Sequence, residues 1–522
     1  MAAALVLLDA SLTFTNVWPT LAVRWHGGLS IELAVCLLGL AAFTRWNRQL
    51  SRAALAWLSV GWTALVLGRY AEVTAPALYG RDVNLYWDLR FIPDVVAMVT
   101  RVAPLWLVVA AIAAAALMLV GLYLLLHRGW RVIAVAVMDR QQRRVLILLS
   151  AALLVILVTT RARARPPGED LFATPVTATY ARQMRFVVEA MAGSTALAES
   201  PVMNGGLSGV RGADVFIIFI ESYGAISYER PEIARPLQPA IAAFGSAIRD
   251  TQRDVVSAYV ESPTFGGSSW LAHISLLSGI EVRDPDTNAK LMTAHRDTIV
   301  RAFSRGGFRT VALMPGLRQN WPEGVFYGFD EIYGADRLAY GGPEFGWFAI
   351  PDQFSLDRLD AAEVDRASRP PLFVFFPTIS THFPFIPTPP YQPDWPRVST
   401  KHPYDGPAIV RAYARQPDWN DFRPGYVEAM AYDLATIGGY LRKHAGRDFV
   451  LVVLGDHQPP AAVSGERAPW DVPVHVITSR RAVLDRLMAS GFRAGLTPAR
   501  PALGRMHTLA PVLLRVFGDA HR

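Results

Sequence analysis

The sequence predicts an α-helical membrane domain of about five transmembrane helices followed by an α/β domain. Three observations carry this expectation. A chain of 522 residues exceeds one ordinary compact domain. Hydrophobic residues make up 52% of it, and the excess is gathered in the first third. From Ala213 onward, short β-type apolar runs alternate with helical stretches. The expected units are 1–160 in the membrane, a linker over 161–212, and a second domain over 213–522.

The apolar stretches run over Ala3–Leu21, Leu29–Thr44, Ala53–Gly68, Val102–Leu126 and Val145–Thr160. The fourth stays uncharged long enough to cross a ~30 Å hydrocarbon core at about 1.5 Å per residue. The first carries Asp9, Asn16 and Pro19 and the second Glu32, so each could instead be a buried or interfacial helix. Arg45, Arg48 and Arg52 fall after the second stretch, and Arg128, Arg131, Arg140, Arg143 and Arg144 after the fourth. Both loops are therefore expected in the cytoplasm and everything after Thr160 outside, although Arg161, Arg163 and Arg165 dilute the bias. Between spans three and four, Tyr79, Asp82, Tyr86, Trp87, Asp88, Arg90 and Phe91 suit a segment at headgroup level, either as an aromatic belt or as a lipid guide. The linker holds Pro166 and Pro167, with one helix expected near Tyr180–Ala192.

Net charge is +7, yet nucleic acid is excluded as a partner. The basic residues are almost all Arg, the lysines being Lys290, Lys401 and Lys443, and no Lys/Arg block interleaves with aromatics. The single cysteine, Cys36, lies in an apolar stretch, so the outer domain contains no disulfide and must be held by its core.

Within that domain, Val215–Ile220, Thr310–Met314, Leu372–Phe376 and Phe449–Leu454 read as buried parallel strands, with helices such as Asp297–Ser304 and Tyr426–His444 between them. Ligands of such sheets gather at the carboxyl ends of the strands. Glu221 follows the first strand, and Asp456 and His457 follow the last. Two carboxylates and an imidazole suit Zn²⁺ or Mn²⁺. Each taken singly is as readily a helix cap or a turn.

A further stretch runs from Gly266 and Gly267 through Ser268, Ser269 and His273 to Gly279. Paired glycines leading into a helix let the backbone approach a phosphate, and the helix N-terminus supplies free N–H groups. A hydroxyl there is either a nucleophile activated by a metal or an N-cap.

The order of Phe219-Ile220-Glu221-Ser222-Tyr223-Gly224, a hydroxyl-bearing helix start closing in Leu276-Leu277-Ser278-Gly279, Thr381-His382-Phe383-Pro384-Phe385 and Gly455-Asp456-His457 resembles the sulfatase-like branch of the alkaline phosphatase superfamily. It is most similar to lipoteichoic acid synthases and related membrane phosphoglycerol transferases. The resemblance implies an α/β sulfatase-like domain with one divalent metal, Mn or Zn, on Glu221, Ser269, Asp456 and His457. It implies Ser269 as nucleophile, with Ser268 and Thr264 as fallbacks, and His382 as general acid. Arg318, Trp321 and His273 would bind substrate. The family's arginine near Trp321 is replaced by Glu323, which leaves Arg318 as its substitute. His507 resembles a structural histidine opening the last helix.

The activity implied is transfer of phosphoglycerol from phosphatidylglycerol, the membrane phospholipid donor, to an envelope glycan or polymer acceptor, at a bacterial cytoplasmic membrane with the catalytic domain outside. A phosphoethanolamine transferase, a phosphodiester hydrolase and a degenerate envelope scaffold are the alternatives. The missing disulfides favour phosphoglycerol over phosphoethanolamine. An arylsulfatase is disfavoured because Ser269 lacks the Pro/Ala and Arg neighbours that formylglycine formation needs.

Overall fold

A computed structural model of the chain describes residues 1–45, 49–80, 82–84, 88, 92, 105–162, 171–192, 197–318, 321 and 323–518. It divides into two compact units, Met1–Thr195 and Ala196–Arg522.

In the first unit, the expected span Ala3–Leu21 is not one helix. A helix over Ala2–Ala10 stops there, and strands β1 (Phe14–Asn16) and β2 (Val23–Trp25) pair antiparallel after it. Ser11 and Thr13 turn their hydroxyls back onto the carbonyls of Leu8 and Asp9, closing the helix end. The second stretch forms a helix over Ile31–Thr44, 14 residues long. At about 1.5 Å per residue it falls short of the ~30 Å core. Its N-terminus is closed by Ser30, whose hydroxyl accepts from the Leu33 N–H.

The third stretch extends well beyond expectation, over Arg52–Tyr79, and stops at Gly80 with φ +81°. Arg69 inside it is buried, donating to the Phe14 carbonyl and pairing with Glu72 at 3.1 Å. The fourth and fifth form helices over Leu105–Met138 and Arg140–Ala162. The loop expected between them shrinks to Asp139, and Arg128 and Arg131 ride on the preceding helix. Asp139 accepts from the N–H groups of Gln141 and Gln142, so it caps the next helix at once. Among the described residues, two helices are long and apolar enough to cross a membrane, Leu105–Met138 and Arg140–Thr159, and the count of five is not reached. A last helix covers Val176–Ala192. Arg48, Tyr86, Trp87, Arg90, Phe91, Val102, Arg163, Arg165, Pro166 and Pro167 lie outside the described residues.

The second unit is built on one sheet. Its strands are β3 (Asp214–Ile220), β4 (Asp254–Glu261), β5 (Arg309–Met314), β6 (Glu331–Gly334), β7 (Leu372–Pro377), β8 (Phe449–Gly455), β9 (Asp471–Thr478) and β10 (Arg493–Ala494). The order is β10-β4-β9-β8-β3-β7-β5-β6. The four strands expected from the sequence are β3, β5, β7 and β8, and all pairings from β8 to β6 are parallel. β9 runs antiparallel to β8 and to β4, so β4 points the same way as β8.

Alternation along the strands explains why both faces are apolar. Val215, Ile217 and Phe219 enter one core with Val450, Val452 and Leu454, whereas Phe216, Ile218 and Ile220 enter the other with Leu451 and Val453. The first core is closed by helices over Ser269–Ser278, Ile299–Arg305, Arg481–Ala489 and Leu509–Phe517. The second is closed by Pro231–Asp250, Asp352–Leu359 and Arg423–Lys443. This is a three-layer α/β sandwich.

His475 on β9 faces Ser257 on β4 across the ladder, and its Nδ1 lies 2.6 Å from the Ser257 Oγ. Ser257 donates to the Gly495 carbonyl, so the imidazole is the donor in that pair, and Nε2 accepts from the Tyr223 hydroxyl at 3.1 Å. Burial pushes the imidazole down to about 3. In the unfolded chain the ring takes up its proton near the ordinary value of about 6.5. The folded value lies below the unfolded one, so the contribution is complete above about 6.5 and is lost as pH falls toward 3. His475→Gln should therefore reduce acid destabilisation between those limits, by at most about 1.4 kcal/mol per pH unit. Thermal unfolding of wild type and variant across that range checks it; parallel curves would refute it.

Candidate metal centre and active site

Adjacent parallel strands deliver the site. β8, β3 and β7 end in register, Ile220 opposite Gly455 and Phe219 opposite Pro377. Glu221 leaves β3, Asp456 and His457 leave β8, and the turn 378–382 leaves β7. The strand ends therefore bring to one edge residues more than two hundred positions apart. Gly455 is required there, because a Cβ on it would stand 1.8 Å from the Tyr223 carbonyl oxygen.

Glu221, Asp456 and His457 are all buried, with one ligand atom from each within 4.8 Å of the others. His457 Nε2 lies 3.3 Å from Glu221 Oε1 and 3.7 Å from Asp456 Oδ2. Its other nitrogen, Nδ1, is 2.7 Å from the Gln458 carbonyl, which fixes the tautomer and leaves Nε2 as the ligating atom. Asp456 Oδ1 accepts from the backbone N–H groups of Ser222 and His457 at 2.8 and 2.6 Å. Its Oδ2 is left for the cluster. Ser222 holds φ at +62°, the bend that brings its N–H to Asp456.

The electrostatics ask for a cation. Among the described residues no Lys or Arg hydrogen-bonds either carboxylate. Burial opposes charge on His457, but Asp456 and Glu221 outweigh it and push the imidazole up to about 9. Burial and the Glu221 charge together hold the Asp456 carboxyl well above the usual range, while at Glu221 burial, which raises the carboxyl, is outweighed by His457, His382 and Asp456 together, which hold it low. Two like charges at this separation need a positive partner. The donor set of two carboxylate oxygens and one imidazole nitrogen, with its second nitrogen anchored, fits Zn²⁺ or Mn²⁺.

Ser269 completes the cluster. It opens the helix Ser269–Ser278, and its Oγ donates to Glu221 Oε2 at 2.7 Å and stands 3.2 Å from His457 Nε2. The preceding loop is set by Gly266, whose N–H donates to the Gln458 carbonyl, and by Gly267 at φ +146° with open space where a Cβ would be. That geometry presents the free N–H groups of a helix start beside the hydroxyl. The two fallback hydroxyls sit elsewhere. Thr264 Oγ1 is spent on the Gly267 carbonyl at 2.6 Å, and Ser268 is the left-handed residue before the helix, with no side-chain cap bond.

His382 is half-buried on the turn after β7. Its Nδ1 is 2.7 Å from the Phe383 carbonyl, and its charge acts on the Glu221 carboxylate. Phe348 packs its edge against the ring at 5.0 Å, and Arg318 donates to the Phe348 carbonyl at 3.0 Å. Arg318 is thus linked to His382 through Phe348. Trp321 instead stacks with Tyr327 and Phe329. Gln319 and Asn320 lie outside the described residues. His273 is wedged between Phe219 and Phe375 at 4.7 and 5.3 Å; burial lowers it to about 3, and Nε2 has no protein partner. His507 lies in the turn Met506–Thr508 that leads into the last helix.

Sequence reasoning missed Thr378, whose Oγ1 accepts from the Glu221 N–H at 3.2 Å and donates to Asp433 Oδ2 at 2.8 Å. It also missed Asp352 and Asp433. Asp433 sits on the buried stripe of its helix with Tyr426, Met430 and Ile437, and an acid on such a stripe is a signal that could have been read.

No family model matches the sequence, and no curated protein does. Among solved structures, the integral membrane lipooligosaccharide phosphoethanolamine transferase A of Neisseria meningitidis is similar over 100% of this chain and 97% of its own, at 12% identity and a TM-score of 0.49. The lipoteichoic acid synthase LtaP of Listeria monocytogenes is similar over 65% of this chain and 78% of its own, at 13% identity and a TM-score of 0.40. For the Streptococcus pyogenes phosphoglycerol transferase GacH, solved with sn-glycerol-1-phosphate, the shares are 63% and 84%, at 12% identity and a TM-score of 0.36.

Proposed function

We propose that the chain is a metal-dependent transferase that moves a phospholipid headgroup, as its phosphate ester, onto an envelope glycan or polymer through a covalent Ser269 intermediate. The observation that carries this reading is the Ser269 hydroxyl at a helix N-terminus, 2.7 Å from Glu221 Oε2 and 3.2 Å from His457 Nε2. Glu221, Asp456, His457 and Ser269 would hold one divalent ion, Mn or Zn. When bound, it would act as a Lewis acid toward a phosphoryl oxygen and favour the serine alkoxide.

The residues then divide the work. Glu221 orients the Ser269 hydroxyl, takes up its proton along their hydrogen bond as the Oγ attacks, and returns it when the Oγ leaves phosphorus in the second half. The Oγ attacks phosphorus, and the bond to the diacylglycerol oxygen breaks. His382, tied through Nδ1 to Phe383, gives a proton to that oxygen from Nε2 and takes one from the acceptor hydroxyl in the second half. The N–H groups at the helix start and Arg318 meet the charge that grows on the phosphoryl oxygens. Membrane helices such as Leu105–Met138 would keep the catalytic unit, outside the cytoplasm, near its lipid. These groups touch phosphate rather than what it carries, so glycerol and ethanolamine stand equally as headgroup, and the missing disulfides do not separate them.

The test uses the full chain in lipid nanodiscs containing phosphatidylglycerol or phosphatidylethanolamine labelled in the headgroup. Release of diacylglycerol with label on the protein is expected from one of the two. Diacylglycerol with free headgroup phosphate and no transfer to any glycan acceptor would make the protein a hydrolase. Turnover of neither lipid would sink the reading.

A further inference from the structure

Beneath the turn that carries His382 lie two carboxyl groups that the proposed chemistry does not use. Asp352 and Asp433 are both 0% exposed. Asp352 opens the helix Asp352–Leu359, and its two oxygens accept from the Ile379 N–H at 3.0 and 3.1 Å and from the Ser380 N–H at 2.7 Å. Asp433 Oδ2 accepts from the hydroxyls of Thr378 and Thr381 at 2.8 and 3.4 Å. Its Oδ1 is buried and meets no hydrogen-bond donor. The two side chains are within hydrogen-bonding reach of each other.

We propose that Asp433 and Asp352 share one proton, held on Asp433 and donated to Asp352, and that this pair positions the 378–382 turn against Glu221 and His382. The accounting of donors leads there. Asp352 already receives backbone N–H groups on both oxygens, the pattern of an ionised carboxylate. Asp433 Oδ1 is buried without a donor and the Asp352 carboxyl lies within hydrogen-bonding reach, so without a proton buried acceptors would oppose each other. Burial and the Asp352 charge raise the Asp433 carboxyl well above its ordinary value, in agreement. Tyr432 interacts with both carboxyls and with Tyr404, and burial keeps both phenols protonated. Among the described residues no Lys, Arg or His hydrogen-bonds either carboxyl.

Through Thr378 the pair fixes the backbone of Glu221, and through Ile379 and Ser380 it fixes the turn whose next residues are Thr381 and His382. These are positioning residues and not catalytic ones. The proposal deepens the transferase reading, and rests on it only for the kinetic arm of the test.

The test exploits an asymmetry between two conservative variants of the full chain. In Asp433→Asn an amide NH₂ replaces the shared proton and its oxygen keeps Thr378, so the geometry survives. In Asp352→Asn either orientation sets the NH₂ against the Ile379 N–H. In metal-loaded protein, where Asp456 would be ionised as a ligand, the infrared C=O stretch of a buried protonated carboxyl is expected in wild type at neutral pH and absent from Asp433→Asn. Persistence of that band in Asp433→Asn would overturn the proton assignment whether or not the protein turns over lipid. Kinetically, Asp433→Asn should rescue kcat to within about threefold, whereas Asp352→Asn should lower it about 10²-fold, the cost of a misplaced catalytic group. Wild type should also lose activity at alkaline pH, where the pair gains its second charge, and Asp433→Asn should not. Equal losses in both variants, or lowered thermal midpoints with unchanged kcat per folded molecule, would reduce the pair to ordinary packing and refute the positioning role.

Discussion

Ser269→Ala is expected to lower lipid turnover by roughly 10³-fold or more and to abolish protein-bound label, because it removes the attacking atom. The residual rate would come from the remaining site binding and polarising the phosphate for attack by water. The neighbouring hydroxyls supply the contrast. Ser268 holds φ at +62°, a conformation that glycine adopts without cost, so Ser268→Gly should leave turnover within a few-fold of wild type. Thr264 fastens the Gly267 carbonyl, so Thr264→Ala should slow turnover through a looser loop and still form the labelled intermediate. Label retained in Ser269→Ala, or lost in Ser268→Gly, would move the nucleophile away from Ser269.

What the sequence reveals and conceals here follows from how each element is stabilised. β3, β5, β7 and β8 are apolar on both faces, so each announces itself as an unbroken run. β4 and β9 hide theirs, because Ser257 and His475 interrupt the two strands and satisfy each other only across the ladder. β6 and β10 are four and two residues long and leave almost no pattern. The metal-type residues were legible because they stand directly at strand ends. Thr378 and Asp352 were not, because their partners come from separate elements and no local spacing records them, and Asp433 left only its place on the buried stripe of its helix.

The first unit shows the opposite failure. Composition alone cannot tell Ala3–Leu21 from a span, since what divides it into a helix and a hairpin is the hydrogen bonding of Ser11 and Thr13 and the pairing of Phe14 with Trp25. Nor does Arg mark a loop. Arg128 and Arg131 stay helical because nothing before Asp139 supplies a new cap.

Removing the divalent ion should destabilise the second unit and abolish turnover, and Asp456→Asn should make the protein indifferent to that removal. In the metal-free site, Glu221 and Asp456 are buried beside each other with only His457 between them, and only a retained proton keeps Asp456 from opposing Glu221 as a second buried charge. A bound ion relieves it and binds the folded state alone, so at a hundredfold excess over its Kd it adds about 2.7 kcal/mol. Chelation of wild type should therefore lower the thermal midpoint by several degrees, and Zn²⁺ or Mn²⁺ should restore it. Asp456→Asn can keep the oxygen that accepts from Ser222 and His457, so the loop can still fold, but it loses the charged oxygen turned toward the cluster. Its midpoint should change little with chelator, and its turnover should fall at least about 10³-fold, as when charge stabilisation is removed from a transition state. Ser269→Ala separates the two roles, because Glu221, Asp456 and His457 remain and most of the metal-dependent shift should survive while turnover does not. An equal chelator shift in wild type and Asp456→Asn would mean that the ion is bound elsewhere, and the carboxylates at the ends of β3 and β8 would then need another counter-charge.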